Sequence, residues 1–310
     1  MNNKLVVSVS PHYHSSNSTQ KVMLDVLIAL APALIASAVI FGFRAVLLTA
    51  VSAANCVFLE WLWNKLFKIP QTISDLSAVV TGVLIAYNVP VGMPIWQLLV
   101  GDFIAIIIVK MLFGGLGCNF VNPALVGRVS MMFSFASSMT NYATDVAKID
   151  VLSSATPLSA MGSLSMDNFM TLFLGQHGGV LGETCSLALL LGGIYLIAKK
   201  VIKIWIPLCY IGSVLVFTAL FGGSNPVLSI FAGGLFLGAF FMATDYVTSP
   251  MTTKGQIIYA LGCGFITVAI RLFANSAEGV SFAILLMNLL VPYINGWSES
   301  KPLGGIDNGK

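Results

Sequence analysis

The chain has 310 residues, 57% of them hydrophobic and only 9% charged, with a net charge of +3 and a mean hydropathy of +0.92. Soluble domains carry roughly 25% charged residues, so this chain cannot cover its surface with water-compatible groups and takes lipid as its solvent. That excludes a soluble enzyme, gives no sign of a nucleic-acid partner, and sets the fold class as an all-α polytopic membrane protein in a lipid bilayer.

Residues 1–21, "MNNKLVVSVSPHYHSSNSTQK", hold no long apolar run ahead of a small-residue cleavage site, so membrane insertion is expected to start with the first spanning helix. His12, Tyr13 and His14 mark either a partner-docking segment or plain surface. A spanning helix needs roughly 20 apolar residues. About ten segments qualify: 22–41, 43–63, 75–91, 95–113, 119–137, 182–199, 203–220, 226–243, 255–273 and 277–295. The fifth is interrupted by Asn122, Pro123 and Arg128, and the tenth by Asn288. Trp61, Trp63, Trp96, Trp205 and Trp297 fall near span ends, as interfacial anchors do.

Only one connection is long, residues 138–181. The chain thus divides into an N-terminal segment 1–21, a five-helix unit 22–137, a polar loop 138–181, a second five-helix unit 182–295 and a tail 296–310. An even number of spans puts both termini on one side. All lysines and arginines except Arg44, Arg128, Lys148 and Arg271 fall on that side, which the positive-inside bias assigns to the cytoplasm. The loop then faces outward. The fourth and ninth spans each carry a Gly followed at the same spacing by a cation, Gly101/Lys110 and Gly262/Arg271. An odd number of spans per half makes such a repeat inverted.

Cys56, Cys118, Cys185, Cys209 and Cys263 form no Cys-x-x-Cys pair and read as small buried hydrophobes. The histidines show no metal-ligand spacing. Among the carboxylates, Asp25, Glu60 and Glu183 lie near span ends and read as interfacial. Asp75 opens the third span. Asp102 is deepest in a span, where an unpartnered charge is expensive, so it should meet protein or water or hold a proton.

Four stretches carry more. "FGGLGCNFVNPALVGR", residues 113–128, is rich in Gly and Asn at membrane depth, where unwound backbone is tolerated only around a cavity or within protein. It is either a structural re-entrant turn or a ligand or ion pathway, with Asn119 and Asn122 as polar contacts and Arg128 as a cation in need of a partner. "MATDYVTSPMTTKG", residues 242–255, sets Asp245 among hydroxyls, an oxygen-rich setting for Na+ or a proton relay, or else a helix cap. "VLSSATPLSAMG", residues 151–162, holds Ser153, Ser154 and Ala155 before Thr156. Pro157 biases Thr156 towards extended geometry. The N-terminal run "SPHYHSSNSTQKVMLDVLIALAPA" is the fourth.

These four stretches, in this order, resemble the RnfD family. Its members are the D subunits of Rnf electron-transport complexes, and the B-type membrane component of the sodium-pumping NADH:quinone oxidoreductase is related to them. The likeness spans residues 9–295, and the chain length suits the Rnf branch. The resemblance implies an inverted five-plus-five helix repeat, similar to urea transporters. It implies FMN bound covalently, as a phosphoester to Thr156; Ser154 stands where the family's motif usually has Gly. The related oxidoreductase component also holds a noncovalent riboflavin near the Asn-Phe-x-Asn-Pro segment, which makes Asn119 and Asn122 candidate flavin contacts. Cys118 stands where that relative has a basic residue. The implied function is coupling of electron transfer between ferredoxin and NAD to movement of Na+ or H+, with the other Rnf subunits (A, B, C, E and G) as partners. Asp75, Asp102 and Asp245 are the ion-path candidates, and no metal site is implied. Without the resemblance, inverted repeats and broken helices alone would suggest a secondary transporter or channel, or a membrane scaffold.

Overall fold

The computed structural model describes residues 18–140, 173, 179–183, 185–222, 225–231, 233–273 and 279–299. Among them the regular elements are helices, joined by one isolated β-bridge. Thr156 with its neighbours Ser153, Ser154 and Ala155 lies outside the described residues, as do His12, Tyr13 and His14.

Helix α1 (Thr19–Phe41) starts where the Ser18 side chain accepts a hydrogen bond from the Lys21 backbone N–H at 3.3 Å, capping one of the orphaned donors of the first turn. It ends at Gly42, whose φ of +76° is a left-handed value that glycine adopts without strain. Helix α2 (Phe43–Leu66) begins at once, so the first two expected spans meet at a single glycine. A 3₁₀ turn at Ile73–Asp75 leads to α3 (Ser77–Tyr87). Helix α4 (Ile95–Phe103) continues as a π-helix through Ile104–Met111, and α5 (Pro123–Ser134) completes the first half. The second half runs α6 (Ser186–Ala198), α7 (Trp205–Leu220), α8 (Pro226–Phe231), α9 (Leu235–Leu237, continuing as a π-helix through Gly238–Met242), α10 (Thr253–Phe273) and α11 (Gly279–Ser298). Four of these, α1, α2, α10 and α11, are long and apolar enough to cross a membrane.

Three expectations change. The eighth segment, read as continuous, breaks between Phe231 and Leu235, where Gly233 has a φ of +74°. The tenth, read as interrupted, is an unbroken helix from Gly279 to Ser298, because Asn288 turns inward. Its amide is 1% exposed and shares a 2.8 Å hydrogen bond with the Tyr259 hydroxyl. The third stops at Tyr87. Beyond it, Pro90 bridges Val180, and the Leu181 and Gly182 N–H groups donate to the carbonyls of Val89 and Tyr87 at 3.1 and 2.8 Å. The chain returning from the long loop is therefore stitched to the end of α3. The reading of the cysteines holds for Cys56 and Cys263; Cys185 and Cys209 are half-buried, and Cys118 is exposed in the irregular segment after the π-helix.

Small residues bring the helices together, as expected where lipid supplies no hydrophobic drive between them. A Cβ on Gly192 of α6 would lie 2.1 Å from the Ala29 carbonyl oxygen of α1. On α4, a Cβ at Gly101 would lie 2.4 Å from Met131 Sδ of α5. On α10, one at Gly262 would lie 2.5 Å from Met287 Cε of α11. Ile35, Val39, Phe133, Phe273 and Trp297 point outward and are exposed, which suits a lipid-facing surface.

Candidate ion and cofactor site

The irregular stretch after the π-helix turns through Gly114, Gly115 and Gly117, with φ of +114°, +90° and +90°. It ends at Asn122, the N-cap of α5, whose Oδ1 accepts from the N–H groups of Ala124 and Leu125 at 3.0 and 3.3 Å. Its Nδ2 donates to the Met242 carbonyl at 3.2 Å. Met242 ends the second π-helix, so Asn122 clamps one broken stretch to the other. Asn119 donates to the Val121 carbonyl at 3.2 Å. Asp245 accepts from the Val247 N–H at 3.5 Å and from Thr248 Oγ1 at 3.2 Å.

Asn119, Asn122, Lys110 and Asp245 line one cavity of about 100 Å³, walled by Phe240 and Phe241. Sites for drug-sized ligands occupy roughly 300–1,000 Å³. This space is smaller, and Asn122 already uses both ends of its amide. The residues as arranged do not fit a whole flavin; they fit the edge of a ring or an ion with its water.

Asp75 belongs to a second constellation. Its Oδ1 accepts from the Ser77 N–H at 2.9 Å and from Ser77 Oγ at 2.6 Å. Lys110 Nζ, reaching back from the π-helix, donates to Ser77 Oγ at 2.6 Å and to Glu60 Oε2 at 2.8 Å. Thr72 Oγ1 donates to Glu60 Oε1, and Asn64 Nδ2 donates to Thr72 Oγ1 at 3.1 Å. The Glu60–Lys110 ion pair is almost wholly out of solvent, at 1% and 4% side-chain exposure. Asp75, Thr72 and Asn64 line a cavity of about 330 Å³ closed by Gly114 and Gly115, and the buried Asn64 Oδ1 has no partner among the described residues.

Asp102, also buried, is met by α2: Ser52 Oγ lies 2.7 Å from its Oδ1, and Asn55 Nδ2 donates to its Oδ2 at 3.1 Å. Arg128 finds the partner the sequence demanded. Its Nη1 lies 3.0 Å from Glu183 Oε1 and 2.5 Å from Asn88 Oδ1. Glu60 and Glu183 are thus corrected from interfacial groups to interior ones, each closing an ion pair across the fold. Asp25 keeps a half-buried place, accepting from the Tyr195 hydroxyl at 2.8 Å. The structure brings Asn119, Asn122 and Asp245 together around one cavity, while Asp75 and Asp102 stand in separate clusters. Sequence reasoning passed over Ser52, Asn55 and Asn64; their only signal was a polar residue recurring along the apolar α2.

Broken helices around buried, paired charges, enclosed by apolar outer faces, define a polytopic helical membrane protein with a polar interior. The chain belongs to the NQR2, RnfD, RnfE family, whose family model matches residues 6–304. It is 46% identical over 305 residues to the D subunit of the Na(+)-translocating ferredoxin:NAD(+) oxidoreductase complex of Acetobacterium woodii, covering 97% of this chain and 95% of that protein. To the D subunit of the proton-translocating ferredoxin:NAD(+) oxidoreductase complex of Clostridium ljungdahlii it is 41% identical, with 97% of each chain covered. The D subunit of an ion-translocating oxidoreductase complex of Actinobacillus succinogenes is 34% identical, with 97% and 98% covered.

Proposed function

We propose that this chain is the RnfD-type membrane subunit of a complex that couples electron transfer between ferredoxin and NAD to translocation of Na+ or H+. The observation that carries this is identity of 46% and 41%, over 97% of the chain, to the D subunits of two such complexes. Its partners are then the A, B, C, E and G subunits and the transported cation. Ten spans arranged as an inverted five-plus-five repeat are supported by Gly101 and Gly262, each packed on a methionine of the next helix. Ser52 and Ser213, Gly101 and Gly262, and Lys110 and Arg271 are all separated by the same length of chain. With the charge bias, this supports a topology with both termini in the cytoplasm and residues 138–181 outside.

Thr156 in that outer loop carries FMN as a phosphoester, a reading that rests on the likeness of "SSATPL" to the family's flavinylation motif. Bound there, the flavin supplies the electron chemistry that the side chains of this protein lack. An aqueous loop is the right place, because a phosphate diester in hydrocarbon would lose its hydration. Residues 179–183, at the base of the loop, are held to α3 and, through Glu183, to Arg128. A noncovalent riboflavin at Asn119 would require the cavity there to widen and Asn122 to release Met242. Asp75, Asp102 and Asp245 are the proposed ion-handling carboxylates.

Denaturing electrophoresis of the protein from its native membrane tests the cofactor directly. A band fluorescent under ultraviolet light is expected, and Thr156→Ala should lose the whole signal while the protein still inserts. A dark wild-type band would remove the flavin from this reading. Loss of ferredoxin:NAD oxidoreductase activity from membranes lacking this protein tests the assignment to the complex.

A further inference from the structure

Asp102 is 0% exposed in a helix at membrane depth, and among the described residues each side chain that hydrogen-bonds to it is neutral. Helix α2 faces it with Ser52, Asn55 and the Cys56 thiol. Lys110, further along the same span, is engaged by Glu60 and Ser77. Arg128 of the adjoining α5 is engaged by Glu183 and Asn88. A bare carboxylate hydrogen-bonded by neutral side chains at membrane depth is costly.

Counting hydrogens resolves its state. Ser52 Oγ lies 2.7 Å from Asp102 Oδ1 and 2.8 Å from the Gly82 carbonyl oxygen of α3. A hydroxyl has one hydrogen to donate. Were Asp102 a carboxylate, both neighbours would be acceptors, and one of these short contacts would be two oxygens with no hydrogen between them. With a proton on Oδ1, the acid donates to Ser52 Oγ, Ser52 donates to Gly82, and Asn55 donates to Oδ2. Every atom then has its partner.

We propose that Asp102 is a proton-binding site, protonated in the resting protein, whose single exchangeable proton is hydrogen-bonded through Ser52 to the Gly82 carbonyl of α3 and is released to water. Its purpose, though not its occupancy, rests on the proposed role in ion translocation. When the proton leaves as H+, a carboxylate remains and Oδ1 becomes an acceptor. The Ser52 hydrogen turns from Gly82 to Asp102, so the tie between α2 and α3 is lost while the bond between α2 and α4 stays with its direction reversed. Two features suit a moving part at this point. A Cβ at Gly82 would lie 2.7 Å from Ala53 Cα, so only glycine brings the carbonyl within reach of the hydroxyl. The π-helix begins at Ile104, immediately beyond, and such segments recur at functional sites.

Infrared difference spectroscopy of the purified full chain in lipid nanodiscs, wild type minus Asp102→Asn, reads the proton. The wild type should show a carboxylic-acid C=O band that Asp102→Asn abolishes and that shifts in D2O. Ser52→Ala should keep the band and move it, through loss of the acid's acceptor. A difference spectrum with no acid band, showing a carboxylate band instead, overturns the proposal. So does a band that D2O leaves in place. If Asp102→Asn does not fold, an identical acid region in Ser52→Ala and wild type overturns it equally. An acid band present, with ion transport by the assembled complex unchanged in Asp102→Asn, would keep the site and reject the transport reading.

Discussion

Two places in the molecule share a frame and differ in chemistry. In the first, Asp102 follows Gly101 on α4 and faces Ser52; in the second, Cys263 follows Gly262 on α10 and lies near Ser213. Both glycines receive a methionine from the following helix. Ser52 reaches across to Asp102 and Gly82 at 2.7 and 2.8 Å. Ser213 folds back on its own helix, with the Tyr210 carbonyl at 2.8 Å and the Ala260 carbonyl of α10 farther off at 3.4 Å, and Gly264 packs against it so closely that a Cβ there would lie 1.7 Å from Ser213 Oγ. Around Cys263 the interior is tied by neutral pairs, Tyr210 with Thr267 and Tyr259 with Asn288, each at 2.8 Å. Around Asp102 it holds a carboxyl group and, one helical stretch further, the Glu60–Lys110 pair. A shared packing scheme therefore does not dictate shared chemistry: small residues set the scaffold and each half buries a cation, Lys110 and Arg271, but Asp102 has Cys263 in the corresponding place.

The largest effect that sharpens this contrast lies at Glu60. Glu60→Gln leaves Lys110 buried without its counter-charge and should cost about 3–5 kcal/mol, seen as a lowered unfolding temperature in detergent. Combining it with Lys110→Met should recover most of the loss, whereas an effect equal to the sum of the two single changes would deny the pairing. A smaller effect separates the two serines. Ser52→Ala strands groups on two neighbouring helices and should cost about 1–3 kcal/mol. Ser213→Ala removes a short bond within its own helix and a longer one to α10 and should cost less, below about 1.5 kcal/mol. Equal losses at the two serines would erase the distinction.

Much of the scaffold was legible in the sequence. Gly42 ends one span and starts the next, and the Gly-rich run before Asn122 announced unwound backbone, although Pro123 and Arg128, read as interruptions, lie within the unbroken α5. Misreadings arose where a residue's meaning depends on what faces it. Asn288 looked like an interruption, but its amide is satisfied by Tyr259, from a different helix. Glu60 and Glu183 looked interfacial because they stand near span ends, and only Lys110 and Arg128, far away in sequence, draw them inside. Gly233 and Gly234 did signal a break in the eighth segment, yet the apolar residues on either side masked it. Of the proposed site, the carboxylates were visible as charges out of place in apolar runs. Ser52, Asn55 and Asn64, which bond to them or to their neighbours, have a polarity too ordinary to stand out before the helices are packed.

Participation of Asp102 in ion movement, at a place where the second half has Cys263, is the functional reading of this contrast. It is tested most directly by ion uptake into vesicles holding the whole complex, driven by electron transfer between ferredoxin and NAD and measured per electron transferred. Asp102→Asn should lose uptake while electron transfer continues, and Cys263→Ser should pump as the wild type does. Undiminished uptake in Asp102→Asn would contradict the account.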